Sequence, residues 1–478
     1  MSGPINNTEA ALDKRADTVA RFPGTSYQEL LDEETNPVPP ALRASAEVYL
    51  GSEPLPVEGY LSRAFHELEK QRLWPRVWQA LCRESEIVAP GDYYVHDIVG
   101  TSVLVVRTRG GELRAFPNAC LHRGRQLKGG SASGLGNSGD ITCPFHGFRW
   151  NLEGGFEGMP CPWDFPHIDG RDFGLPALRL DTWGGWVFVN LDGTAPSLEE
   201  YLGVIPGHFE RWAPEATYKA LHVKKVLRCN WKLAHEAFIE SFHTVATHPQ
   251  LLPYTGDSQS QYDCFSDHVS RTITPMGVVS PHVPGTSEEQ AVQQWLTVYD
   301  VLDEGEPLPS LPEGESARAW LGRMNIERFS AMYGRDLSAI ATHSEVLDAI
   351  LYSVFPNFAP WAGFRPNVTY RFLPWEDSHD QCTMEIMLMM RYPQSQSRPR
   401  DAAVQFVPAD QSLADTPGIE PGFARVFDQD FSNLPQVQRG LASLRSGKIQ
   451  LANYQEVRIR HFHQVLRKYL DTPEGGKP

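Results

Sequence analysis

The sequence predicts an α+β protein in which a small all-β unit precedes a larger region of mixed helices and antiparallel strands. Two observations carry this. Between Trp78 and about Asp192, short alternating runs, YYVHDIV, SVLVVRT, LRAFPN and GGWVFVN, are separated by glycine-bearing turns. From Ser197 onward, helical periodicity around Asn230 to His248 is followed by long apolar strand candidates, NVTYRFLPW and TMEIMLMMRY, and by an amphipathic C-terminal helix, NYQEVRIRHFHQVLRKYL.

Taken in order, residues 1–57 end in a proline-rich stretch, NPVPPALRASAEVYLGSEPLPVEGY, expected to be an extended arm at the surface or an interface. Residues 58–76 form a helical lead-in with Leu61, Phe65, Leu68 and Leu73 at helical spacing until Pro75 interrupts it. The β unit spans 77–192 and the larger domain 193–478. Within the latter, periodicity places the polar, proline-dotted region 255–344 poorly, which suggests an insertion near a site or interface.

Composition narrows the function classes. The 478 residues suffice for two or three domains, and 41% hydrophobic with 21% charged residues is ordinary for a globular protein. Lys plus Arg number 43 against 59 Asp plus Glu, a net −16 that argues against nucleic-acid or anionic-membrane partners, which need clustered positive charge. There is no long uninterrupted apolar run and no apolar N-terminal region of the secretory kind, so a cytoplasmic location is expected. Seven thinly spread cysteines fit a reducing compartment, where clustered cysteines more often hold metal than form disulfides.

Two stretches in the β unit carry chemistry. NACLHRGRQL supplies Cys120 and His122, and ITCPFHGFRW supplies Cys143 and His146, with twenty residues, Arg123 to Thr142, between the pairs. Together they offer two thiolates and two imidazoles from tight loops. A structural zinc ion would use such a set tetrahedrally. A Rieske 2Fe-2S cluster would put the cysteines on one iron and the histidines on the other, raising the reduction potential because neutral imidazole replaces anionic thiolate. The spacing, the all-β setting and the glycines at 124 and 147, which suit loops wrapped closely around a cluster, favour the cluster.

A cluster that moves electrons needs a destination, and NWKLAHEAFIESFHTVATHPQ is the candidate. As one helix it would carry Glu236, Glu240 and His243 on one face. His248, five residues beyond His243, reaches the same metal only if the helix ends or bulges between them, and Pro249 fits such an ending. Two histidines and a carboxylate form a facial triad that leaves positions open on Fe(II), but two histidines at this spacing are weak evidence alone.

These words together resemble the α subunit of Rieske non-haem iron (aromatic ring-hydroxylating) oxygenases, from Phe65 nearly to the C-terminus. C-x-H-R-G and C-P-x-H-G match its cluster loops. NWK followed by HTVATH matches its iron helix, and FDQDFSNLPQVQRGL matches the segment that brings a distant aspartate. The extra cysteine pair that respiratory-chain Rieske proteins carry in these loops is missing. The resemblance implies a Rieske domain and a helix-grip (START-like) catalytic domain built on an antiparallel sheet. It implies a cluster on Cys120, His122, Cys143 and His146 and mononuclear Fe(II) on His243, His248 and Asp430. Asp430 is preferred to Asp428 by its distance to Gln438. Glu240 would link His243 to His146 of a neighbouring chain. Ala237 stands where the family commonly has asparagine, and Glu240 where aspartate is commoner; the glutamate leans toward monooxygenation by analogy.

The implied activity is that of a terminal oxygenase. It would use O2 to hydroxylate or oxidatively demethylate an aromatic or alicyclic substrate, with electrons from NAD(P)H supplied by a separate reductase, a ferredoxin or both. No strand is followed by G-x-G-x-x-G, so the chain itself offers no nucleotide site. A homotrimer or multiple of it, with or without a beta subunit, is implied. Candidate pocket residues are Phe238, Phe242, Phe358, Trp361 and Phe364. Two rivals stand beside this reading: a Rieske electron carrier without oxygenase activity, and a zinc hydrolase using His243 and His248.

Overall fold

The computed structural model describes residues 21–129, 134–299, 301, 310–473 and 476. The first twenty residues of the expected arm, residues 130–133 of the inter-loop segment and 302–309 of the acidic stretch lie outside the described residues. Among the described residues, no helix is long and apolar enough to cross a membrane.

The β unit builds its ligand loops at the ends of short ladders. Strands Asp92–Ile98, Thr101–Arg107 and Leu113–Pro117 form an antiparallel meander, with Leu135–Asn137 added beside the first. The chain leaves Pro117 directly into the first ligand loop. The second loop, residues 143–148, joins Ile141–Thr142 to Arg149–Trp150 in a separate three-stranded sheet. Beneath the loops, Phe148 and Trp150 are fully buried and Phe156, Phe165 and Phe173 pack against them. The Gly184–Gly185 turn closes the hairpin of Arg179–Trp183 and Trp186–Asn190, and both glycines have positive φ, the conformation a tight hairpin turn demands.

The larger domain is organised by one eight-stranded sheet. From one edge it runs Gln261–Cys264, Val269–Thr274, Ala349–Val354, Phe358–Ala362, Asn367–Pro374, Cys382–Arg391, Thr217–Leu227 and Gln405–Val407. Every residue of Asn367–Pro374 is buried: the helix Trp231–Ala237 packs against this strand, and Arg371 donates to the carbonyls of Ala80 and Leu81 in the strand Gln79–Arg83. Alternate strand residues serve opposite cores. Leu351 and Ile386 face the core of the helices Trp231–Ala237, Pro421–Leu441 and Val457–Asp471, whereas Tyr352 and Met387 face that of Glu288–Val298 and Ala317–Tyr333.

Three expectations are corrected. Region 255–344 is no insertion standing apart: it supplies the two strands at one edge of the sheet and the helices of the second core. The arm is no surface segment from Tyr27 on, since Tyr27, Leu31 and Leu42 are buried and the Tyr27 hydroxyl meets Ser344 Oγ at 2.6 Å. Buried Arg271 also donates to the carbonyls of Ala41 and Ala44, so the chain's own unpaired carbonyls staple this segment to the sheet.

The third correction is that Asn230–His248 is not one helix. Asn230 caps a helix that runs only from Trp231 to Ala237. The Ile239 carbonyl is taken by Thr272 Oγ1 at 2.9 Å and Arg458 Nη1 at 3.0 Å, and the Ser241 amide donates to the Tyr262 hydroxyl at 3.1 Å. These tertiary hydrogen bonds replace helical ones, and a short turn resumes at Thr244–Thr247. Glu236 therefore shares no face with His243. It is buried against the Tyr60 hydroxyl and His463 Nε2, the latter at 2.7 Å.

Candidate metal centres and substrate cavity

The two ligand loops have matching local geometry. In each, the glycine four residues after the cysteine has φ +75° and returns its amide to the cysteine carbonyl, Gly124 to Cys120 at 2.8 Å and Gly147 to Cys143 at 3.0 Å. The cysteine amides reach forward to the carbonyls of Arg125 and Phe148, both at 2.8 Å. Each loop thereby buries its cysteine and leaves its histidine nearer the surface: Cys120 and Cys143 are 4% and 1% exposed, His122 is half-buried and His146 exposed. The imidazole centroids lie 4.8 Å apart, and His122 stacks on Phe148 at 4.6 Å.

This donor set fits a 2Fe-2S cluster. Burial, together with the neighbouring Cys143 thiol, pushes the Cys120 thiol up, so two thiolates at this spot call for cationic iron to offset them. The buried Nδ1 of His122 has no hydrogen-bond partner among the described residues. All seven cysteines are free.

The second centre is assembled from distant segments. His243 and His248 flank the Thr244–Thr247 turn, and Asp430 projects from Pro421–Leu441. Asp430 Oδ1 lies 3.0 Å from His248 Nε2 and 3.7 Å from His243 Nε2, and one donor atom from each of the three residues falls within 4.8 Å of the others. His248 ends the turn in a non-helical conformation, φ −124° and ψ 55°, and this ending lets both imidazoles converge.

The other ring nitrogens are already engaged. His243 Nδ1 donates to Glu240 Oε1 at 2.6 Å, and His248 Nδ1 donates to Gln429 Oε1 at 2.9 Å. These acceptors fix the tautomer in which each Nε2 lone pair points toward Asp430, which is how outer groups orient metal-binding imidazoles. Gln250 holds Gln429 in turn, its Nε2 donating to Gln429 Oε1 at 2.7 Å. Burial would lower the His243 pKa, but the Glu240 and Asp430 carboxylates outweigh it and raise it to about 9. A cation held by the triad would take the place of that proton on Nε2.

Asp428, the fallback ligand, is committed elsewhere: it accepts from the amides of Leu413 and Ala414 and from the Ser412 hydroxyl. Gln438 explains the register of Asp430, since its Oε1 accepts from the Asn230 amide at 2.8 Å and its Nε2 donates to the Tyr60 carbonyl. Sequence reasoning missed Gln429 altogether. Its only signal was adjacency to Asp430, which says nothing about where a glutamine amide points.

A cavity of about 210 Å³ opens beside the triad. Of the five expected lining residues, Phe238 and Trp361 line it. Phe242 is instead half exposed at the surface, Phe358 is buried against Trp186, and Phe364 is buried among Arg211, Arg335 and Arg391. Arg365, Tyr370 and Phe427 also line it and were not singled out in the sequence, while Thr255, Met276 and Tyr299 come from region 255–344, which was expected near a site or interface.

Fold and site together define a two-domain iron protein. A family model for the ring hydroxylating alpha subunit (catalytic domain) matches residues 208–472, and one for the Rieske [2Fe-2S] domain matches residues 77–169. The chain belongs to the ring-hydroxylating alpha subunit family, whose members carry a Rieske cluster and a mononuclear iron.

Among curated relatives, the chlorobenzene dioxygenase subunit alpha of Cupriavidus sp. is 32% identical over 194 residues, 39% of this chain and 42% of that one. The carnitine monooxygenase oxygenase subunit of Escherichia coli K12 is 31% identical over 198 residues, 41% and 52% of the two chains. The matched part thus spans about half the length of these relatives. Among solved structures, naphthalene 1,2-dioxygenase from Rhodococcus sp. bound to indole has a TM-score of 0.58 at 21% identity, covering 87% of this chain and 94% of that one. A quaternary ammonium Rieske monooxygenase with γ-butyrobetaine gives 0.59 at 16%, covering 87% and 96%. Both likenesses concern the fold.

Proposed function

We propose that this chain is a terminal oxygenase that hydroxylates or oxidatively demethylates an apolar organic substrate, drawing electrons from a separate reductase or ferredoxin. The observation that carries the reading is a His243/His248/Asp430 triad opening on an apolar cavity, within a chain that also holds a Rieske domain. A pure electron carrier has no need of that cavity. When bound, the cluster would relay single electrons and the mononuclear iron would supply oxygen chemistry.

The protein's own part is orientation and exclusion of water. Cys120, His122, Cys143 and His146 would hold the cluster; His243, His248 and Asp430 would hold the iron. Glu240 and Gln429 keep the two imidazoles aimed, while Phe238, Tyr370 and Phe427 pack the walls against water. Free cysteines throughout agree with a reducing, cytoplasmic setting.

Assembly follows from what each site leaves uncovered. Phe145, 55% exposed, packs 3.8 Å from the ring of the exposed His146, Leu121 and Trp163 of the same domain are 40% and 79% exposed, and Phe242, at 50%, adjoins His243 in sequence. Pairing these two apolar patches between neighbours makes a closed head-to-tail trimer or a multiple of it, with Glu240 linking His243 to the neighbour's His146. Full activity in a monomer would remove that arrangement.

The decisive experiment combines metal content with oxygen uptake in the presence of NADH and a reconstituted reductase. The reading expects two irons and two sulfides for the cluster plus one further iron per chain, and substrate-dependent oxygen uptake. Two irons without uptake would identify a carrier, and zinc alone a hydrolase. For the bridge, Glu240→Gln is expected to keep both metals while slowing single-turnover electron transfer, and an unchanged rate would reject that role.

A further inference from the structure

The cavity wall is mostly apolar, with scattered hydroxyls such as those of Ser241, Thr255 and Thr274, and charged side chains reach it at two places. One is the metal end with Glu240 and the triad; the other is Arg365, the single lysine or arginine among the described lining residues. Arg365 sits in the loop 363–366 that joins the strands Phe358–Ala362 and Asn367–Pro374. That loop is rigidly anchored. Phe364 is 2% exposed and its amide donates to the Glu345 carbonyl at 2.8 Å, while Gly363 has φ +107° and passes so close to the Glu345 carbonyl that an added Cβ would lie 2.6 Å from it.

The guanidinium has little to hold. Nη1 donates to the Leu347 carbonyl at 2.8 Å and the group stacks 5.4 Å from the Trp361 ring, and among the described residues no carboxylate pairs with it. A guanidinium carries five donors, so most remain free for a ligand. Thr255 adds a second unmet group: it is 4% exposed, lines the same cavity, and its Oγ1 has no hydrogen-bond partner among the described residues. Tyr370, which lines the same cavity, is within electrostatic reach of both Asp430 and Arg365.

We propose that Arg365 is a specificity-determining residue that receives the carboxylate of an otherwise apolar substrate, an assignment that rests on the oxygenase reading. A neutral hydrocarbon filling the cavity would strip water from the guanidinium without replacing it, whereas a carboxylate satisfies its planar fork with two parallel hydrogen bonds. The apolar body would then extend past Tyr370 toward the triad, where Phe238 and Phe427 provide aromatic walls. A quaternary ammonium group at the Arg365 end would meet like charge.

Calorimetric binding to the purified holoenzyme tests this without turnover, using three acid and amide pairs: benzoate with benzamide, phenylacetate with phenylacetamide, and 3-phenylpropionate with 3-phenylpropanamide. At least one acid is expected to bind roughly tenfold or more tightly than its amide, as a charge-assisted pair implies. Arg365→Gln should bring that pair to parity and Arg365→Lys should keep part of the preference, with the cluster's visible spectrum reporting that both variants fold. Equal binding within all three wild-type pairs overturns the proposal even if the variants fail to fold, and so does a preference that survives in Arg365→Gln. Tighter binding of γ-butyrobetaine than of any of the three acids overturns the apolar body. Oxygen uptake is read separately: an acid preference without any uptake would refute the oxygenase reading and leave the Arg365 assignment standing.

Discussion

The two metal-binding regions are built on opposite plans. The cluster loops are local: each cysteine lies within three residues of its histidine, and each loop is closed by its own backbone through Gly124 or Gly147. The triad is distributed: His248 and the Gln429 that orients it are 181 positions apart, and Pro421–Leu441 is docked by Gln438 onto Asn230, the cap of the helix Trp231–Ala237. A local site is expected to fail one loop at a time, whereas a distributed one depends on how two elements dock.

The largest expected effect removes one side of the distributed site. Asp430→Ala should lose mononuclear iron and lower turnover by about a hundredfold or more while the cluster spectrum persists, as measured by iron analysis, visible absorption and oxygen uptake. Undiminished turnover would refute the ligand assignment and erase the contrast between the sites.

A smaller effect sharpens it. Gln429→Leu leaves all three proposed ligands in place but removes the acceptor of His248 Nδ1–H. Iron affinity should fall roughly 10- to 100-fold, read by chelator competition, with the cluster again unaffected. Unaltered affinity would mean that the docking of Pro421–Leu441 alone orients the imidazole.

The smallest effect probes the local plan. An added Cβ at Gly147 would lie 3.3 Å from Pro160 Cγ, whereas at Gly124 it would meet nothing within 4 Å, and both residues have φ +75°. Either alanine should cost about 1–2 kcal/mol from the left-handed backbone alone. Gly147→Ala should be the worse of the two when cluster bleaching is followed on heating, and equal losses would show that the contact with Pro160 contributes nothing.

The same contrast governs what could be read in advance. Cys120, His122, Cys143 and His146 were legible because sequence neighbours in a tight turn are also spatial neighbours. The strands at 92–98, 101–107 and 367–374 were legible from their apolar runs and bounding turns. Asp430 was reached through family resemblance, since nothing local separates it from Asp428; the hydrogen bonds that commit Asp428 to residues 412–414 come from another part of the chain.

By itself, then, the sequence determined the α+β class, the cluster motif and the pair of histidines, all set by short-range spacing and periodicity. Only the tertiary structure decided that the helix would stop at Ala237, that region 255–344 would complete the sheet, and that Arg365 would face the cavity. The reason is physical. Each of these depends on a partner far along the chain, such as Thr272 and Arg458 on the Ile239 carbonyl, and one-dimensional spacing carries no information about such partners.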